Sequence, residues 1–260
     1  MELNDAVRAF QWLLGWSLLL QTLEFWRLQG MDRVGSWAIQ RQEIPPRPGW
    51  FRPVLDRLLG RLGYPALLGL RLVLALLLLL GEFGLVEAVV LFLSSVLLLF
   101  RWRGAFNGGS DFMTLVGVSG LLIAQLTGAV TDNPALGWRA GLWYVTVYVV
   151  SSYFVSGWVK LLRPEWRSGR AMTIFLDAGV YGPLSPHSIY RNPWVARCVS
   201  WTFTVWEGCF PLALFDVRIA WFMCGVAPLF HFLVYWHFGL NRFFWAWLAT
   251  YPAVLYCALG

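Results

Sequence analysis

The chain has 260 residues, of which 58% are hydrophobic, 17% aromatic and 13% charged, against about 45–50% apolar and about 25% charged in an ordinary soluble domain. That balance excludes a disordered chain, a coiled coil and a typical soluble enzyme, and it predicts an all-α, polytopic integral membrane bundle of about eight spans. The net charge of +6 belongs to loops facing anionic headgroups, not to nucleic acid.

The first apolar stretch, Ala9 to Phe25, is interrupted by Gln11, Gln21 and Glu24 and carries no signal-peptide cleavage pattern. Pro45, Pro46, Pro48 and Pro53 then predict an extended, non-helical segment. Spans two and three, Tyr64 to Leu80 and Leu85 to Phe100, flank a tight turn at Gly81-Glu82-Phe83-Gly84. A polar, glycine-rich loop over 101–111 leads to span four, Phe112 to Val130, which ends at Thr131-Asp132-Asn133-Pro134. Span five is Ala140 to Leu162. The long loop from Arg163 to Asn192 holds a predicted short interfacial helix at Ala171 to Val180. Spans six, seven and eight are Pro193 to Phe215, Ile219 to Tyr235 and Asn241 to Leu259. Lipid cannot satisfy backbone polar groups, so each span reads as a helix. None has the two-residue alternation of a membrane barrel. No repeat divides the chain, and residues 1–260 read as a single domain. Cys198, Cys209, Cys224 and Cys257 lie in apolar stretches with no C-x-x-C pair, and read as small buried side chains.

Seventeen of the twenty basic residues fall on one side of this topology; Arg8, Arg139 and Arg218 fall on the other. The positive-inside rule places the Arg-rich side in the cytoplasm, with a bacterial cytoplasmic membrane as the expected location.

Lys160, at the end of span five, is the single lysine among nineteen arginines. Arginine stays protonated in proteins, whereas a desolvated lysine can lose its proton and act as a base. The alternative is a lysine that snorkels to the interface. Asn107, Gly108, Gly109, Ser110 and Asp111 cluster on the same side, where the glycines would let backbone N–H groups approach a ligand. A plain turn with Asp111 capping span four is the other possibility. Glu207 and His231 are ionisable groups inside spans, and such groups usually face the bundle interior. His237 reads as interfacial. There is no Walker loop, dinucleotide fingerprint, catalytic triad order or HExxH, and no metal is expected.

Tyr153-Phe-Val-Ser-Gly-Trp-Val-Lys160-Leu, followed by Trp166-Arg-Ser-Gly169-Arg-Ala-Met172, resembles the signature of the HTTM family. That is the transmembrane domain shared with vitamin K-dependent gamma-carboxylase. Asn107 to Asp111 at the head of span four also resembles that family, as does His231 followed twenty-one residues later by Pro252. The resemblance covers roughly residues 7 to 258. It implies that Lys160 is the catalytic base. In the family that base deprotonates reduced vitamin K, and the reaction of the quinol with oxygen drives glutamate carboxylation and yields the epoxide. Two departures bear on the expectation. The family's Asn-His-Ser run is Asn107-Gly108-Gly109-Ser110 here, without the histidine. The sequence also stops at Gly260, without the large peptide-binding domain. The family works on the lumenal side, whereas the arginine bias places Lys160 on the cytoplasmic side.

The expected function is therefore a carboxylase-like membrane enzyme acting on reduced vitamin K or another quinol, with oxygen. Membrane lipid, the lipid-soluble quinone and a separate protein supplying or being the substrate are the expected partners. Lys160 is the base. Asn107, Gly108, Gly109, Ser110, Asp111, Glu207 and His231 bind substrate, and Trp166 and Gly169 shape the covering loop. The amine should face a cavity lined by aromatic residues. The competing expectation is a non-catalytic membrane partner, immunity or maturation factor on the same helix bundle.

Overall fold

Helices carry the chain from one end to the other in the computed structural model, which describes residues 1–29, 36–43, 49–102 and 108–258. Among these residues there is no strand. The helices are α1 (Leu3–Leu28), α2 (Trp37–Gln40), α3 (Phe51–Leu59), α4 (Gly63–Leu80), α5 (Leu85–Trp102), α6 (Gly108–Thr131), α7 (Pro134–Leu162), α8 (Pro164–Arg167), α9 (Arg170–Asp177), α10 (Pro193–Gly208), α11 (Val217–Phe238), α12 (Asn241–Leu248) and α13 (Tyr251–Cys257). Five of them, α4, α5, α6, α7 and α11, are long and apolar enough to cross a membrane.

Those five are the expected spans two, three, four, five and seven. The other three differ for identifiable reasons. The 26 residues of α1 have the length of a span, but Gln21 and Thr22 are buried in its packed face, and Asp5, Arg8, Glu24 and Arg27 interrupt its apolar sequence. α10 ends after 16 residues, and a 3-10 segment over Phe210–Leu214 continues it, with Pro211 near its start. The expected eighth span is two helices of 8 and 7 residues, separated at Ala249 and Thr250. Pro252 explains the break: its ring would clash with the Leu248 carbonyl in a continuous helix, whereas the first turn of a new helix tolerates it.

Pro53 has the same tolerance in α3. This helix replaces part of the expected extended segment, because its proline lies in the first turn and Leu55 and Leu59 are buried. Pro45, Pro46 and Pro48 lie outside the described residues. The turn after α4 is as expected: Gly81 takes φ +84°, and the N–H groups of Gly81 and Glu82 close on Leu78 and Leu77. The interfacial segment is helical as α9. Cys198 is exposed, while Cys224 and Cys257 are buried.

The centre of the bundle is the α6–α7 crossing, and small residues make it possible. A Cβ on Gly137 would lie 2.2 Å from the Ala124 carbonyl oxygen, and one on Gly141 would lie 2.3 Å from that of Gly120. Lipid offers no hydrophobic drive between helices, so close backbone approach and dispersion hold them. Asn133 starts α7 by accepting the Leu136 N–H at 3.1 Å, with Pro134 at the first helical position. One more such approach fixes the far end of α7: a Cβ on Gly157 would meet the Gly208 N at 2.4 Å and the Thr204 oxygen at 2.9 Å. Residue 160 is one turn beyond, and it is therefore presented to the C-terminal end of α10.

Gly141→Val should force α6 and α7 apart, at a cost of about 1–3 kcal/mol or more from overpacking. Thermal unfolding in detergent should show a lowered Tm. Gly69→Val, where an added Cβ meets nothing within 4 Å, should leave it nearly unchanged.

Candidate functional site

Lys160 reaches from the last turn of α7 to Glu207 in the last turn of α10, and the two side chains form an ion pair. The ammonium also donates to Ser156 Oγ at 2.9 Å, and Ser156 donates to Glu207 Oε2 at 3.2 Å. Ser156 is four residues before Lys160, so both lie on one helix face. The Trp166 ring stands 5.2 Å from the amine, a distance at which a cation is attracted by the ring face. Lys160 therefore has a carboxylate, a hydroxyl and an indole as partners, where sequence reading anticipated apolar desolvation alone. Its three N–H bonds exceed the two hydrogen bonds made, so one donor remains.

Beside this pair is a partly open cavity of about 490 Å³, within the size range of small-molecule sites, about 300–1,000 Å³. Lys160 is part of its wall. Trp166, Met172, Phe175, Phe203 and Phe230 supply much of the rest. Phe203 and Phe230 pack at 5.0 Å between centroids, and Phe175 and Phe238 at 4.3 Å.

The loop that covers the cavity is anchored by backbone carbonyls. Ser200 Oγ donates to the Trp166 oxygen at 2.5 Å, and Trp201 Nε1 donates to the Arg167 oxygen at 3.0 Å. Gly169 adopts φ +82°, and a Cβ there would lie 2.4 Å from the Arg197 nitrogen. Any other residue would hold the loop off α10. Trp166 and Gly169 thus set how closely this loop lies on α10. Further along, Arg191 donates to Asp177 at 2.8 and 3.3 Å and to the Leu184 carbonyl at 2.6 Å.

The other anticipated site residues that the structure describes lie elsewhere. Asn107 is outside the described residues. Gly108 and Gly109 begin α6, and a Cβ on Gly109 would meet the Phe243 ring at 3.0 Å. Ser110 is buried. Asp111 is a member of a separate buried network. Its Oδ1 accepts from Gln21 at 3.0 Å and Arg242 at 2.8 Å. Arg242 also pairs with Glu24 at 2.6 Å. Arg71 extends the network, donating to Ser94, Ser95 and Gln21 at 2.8–2.9 Å. The network ties α1, α4, α5, α6 and α12 together. None of these residues lines the Lys160 cavity. His231 is likewise apart from it: its Nε2 is 2.6 Å from Tyr153 Oη, which is 2.9 Å from Tyr251 Oη, and its ring stacks on Trp247 at 4.8 Å. Ser156 and His237, which also border or support the cavity, are the residues that sequence reading assigned no role there.

The two charges of the Lys160 pair are buried unequally: the side chain of Glu207 is 4% exposed and that of Lys160 17%. Lys160→Met strands a buried carboxylate and should cost about 3–5 kcal/mol. Glu207→Gln leaves an amine that can turn toward water and should cost less. The double variant should recover part of the loss, and thermal unfolding of all three in detergent ranks them. Asp111→Ala should also destabilise, but by less, since the Arg242 side chain, 4% exposed, keeps its pair with Glu24; thermal unfolding in detergent ranks it with the others.

No family model, curated protein or solved structure matches this chain.

Proposed function

We propose that the chain is a membrane-embedded enzyme, carboxylase-like in its first step, which removes a proton from a hydroquinone-type, lipid-soluble substrate for oxygen-dependent oxidation. The observation that carries the reading is the single lysine, bonded to a buried carboxylate, on the wall of an aromatic cavity of about 490 Å³. The resemblance of Tyr153 to Met172 to the HTTM signature supports it. Flat aromatic faces and one remaining N–H donor suit a ring bearing oxygen. A bound reduced quinone of the vitamin K type supplies the reactivity toward oxygen.

This chain's own residues bind, orient and move the proton. An amine already in contact with a carboxylate can become neutral by passing its proton to that carboxylate, with no net change of charge in the site. The neutral Lys160 amine then takes the ligand's hydroxyl proton, and the gained proton is held by the Lys160–Glu207 pair. Ser156 keeps both groups in register. Trp166 and Met172 exclude water, which strengthens electrostatic interactions inside. In this proposal the site opens at the Arg-rich, cytoplasmic end of a bacterial membrane protein. Lipid delivers the quinone, and a separate protein supplies or is any further substrate. Glutamate carboxylation is not part of it.

One observation favours the rival class, a non-catalytic partner, immunity or maturation factor: an ion pair between α7 and α10 can hold two helices together with no chemistry at all. Lys160→Arg separates the two readings, because it keeps the charge and the reach to Glu207 but cannot give up a proton. Quinol consumption by the purified protein, compared with and without oxygen, should fall about 10²–10⁴-fold, the usual worth of a general base, with Tm nearly unchanged. Unchanged consumption would mean that Lys160 is not the base.

A further inference from the structure

The wall of the Lys160 cavity is largely apolar, and of its polar side chains only the Tyr190 hydroxyl and the His237 ring can accept a hydrogen bond. Lysine ammonium and indole N–H groups donate and do not accept. Lys160, Trp166 and Trp236 are of this kind. His237, on the last turn of α11, is different. Its Nε2 lies 2.9 Å from the Leu176 carbonyl oxygen. A carbonyl only accepts, so Nε2 carries the proton. In the neutral ring that leaves Nδ1 as an acceptor. No other protein group bonds this ring among the described residues, and Nδ1 is not a sealed atom.

The chain holds this ring orientation deliberately. The His237 carbonyl accepts the Val180 N–H at 2.9 Å. Gly179 leaves space for the imidazole: a Cβ there would lie 2.5 Å from Nε2. The ring also packs edge-on against Phe238 at 4.8 Å. Backbone of the covering loop thus fixes the tautomer on one side of the ring, and the ring lines the cavity with its opposite nitrogen bonded to no protein group among the described residues.

We propose that His237 is a second polar anchor of the Lys160 cavity, whose Nδ1 accepts a hydrogen bond from a ligand's ring hydroxyl, so that the cavity prefers a dihydroxy-aromatic ring over its oxidised, dicarbonyl form. This rests on the reading of the cavity as a quinol site and adds a residue and a selectivity to it. A quinone offers only acceptors, which Lys160 can serve at one end. A quinol also offers a proton, and a nitrogen lone pair is the group that takes it in a hydrogen bond.

Binding of menadiol and of menadione, kept under anaerobic conditions and read by tryptophan fluorescence of the full-length protein in detergent, tests this directly. The two probes are nearly equal in size, so their ratio of Kd values cancels general damage to the fold. The protein should favour menadiol by about three- to tenfold, the worth of one neutral hydrogen bond. His237→Gln puts an amide where Nε2 stands and keeps the bond to Leu176; it should abolish the preference. His237→Asn puts an amide oxygen where Nδ1 stands and should retain it. Tyr190→Phe removes the hydroxyl of the lining, its other possible side-chain acceptor, and should also retain it. A preference that survives His237→Gln, or that is lost in His237→Asn but kept in His237→Gln, overturns the proposal and reduces the ring to a loop anchor. An unaltered protein that binds both probes equally overturns it too. Failure of the unaltered protein to bind either probe defeats the quinol reading itself.

Discussion

The close approach of Gly157 to Gly208 is the constraint on which the site depends. Two helix backbones meet there without side chains between them, and the ion pair forms one turn further on. A methyl group at that contact would meet the Gly208 backbone and push the two helices apart beside the pair. The pair is also what makes burial of the lysine tolerable. An isolated ammonium in a bundle interior is strongly disfavoured, while one bonded to a carboxylate and a hydroxyl is not.

Arginine and lysine are divided by task in this bundle. Arg71 and Arg242 are buried in the network around Asp111, where each makes several bonds with fixed directions. A planar, permanently charged fork suits that work. The network joins helices far apart in sequence and faces no large cavity. Lys160 stands at a cavity wall, paired with the Glu207 carboxylate. A guanidinium would serve equally as a fixed cation there, so the use of lysine at this one position is the feature that a purely structural account leaves unexplained.

Much of this was legible in the sequence, and the omissions have physical causes. Length and apolarity identify the five long helices because helical spans need no partner to declare themselves. Lys160 and Glu207 stand out as charges inside apolar segments, although their contact spans 47 residues and no local pattern reveals it. For Asp111 the sequence left open a structural role as a cap, but its buried bond to Arg242 was out of reach, since that partner lies 131 residues away. Ser156 was within reach of the i to i+4 rule. The break between α12 and α13 was signalled by Pro252, which the aromatic run around it obscured. His237 reads as interfacial from its position, and only the folded loop brings Leu176 against its ring.

The cover of the cavity is built to keep its shape. Asp177 accepts both the Leu184 N–H at 2.9 Å and the Arg191 guanidinium. Thr173 donates to the Tyr190 carbonyl at 3.2 Å. Trp166 is tied through its backbone to Ser200, and His237 through its ring and its carbonyl to α9 and the segment after it. Lys160, Trp166, Tyr190 and His237 of the lining are therefore each held by a bond that their own side chain or backbone makes elsewhere. Sites whose reactive groups are oriented by such supporting contacts lose less on binding and hold tighter geometry than sites on free loops. A mobile lipid tail would need none of this polar bracing, since apolar contact tolerates sliding. The bracing holds the Lys160 amine and the His237 imidazole at fixed positions on the wall, as the proposed ring ligand would require.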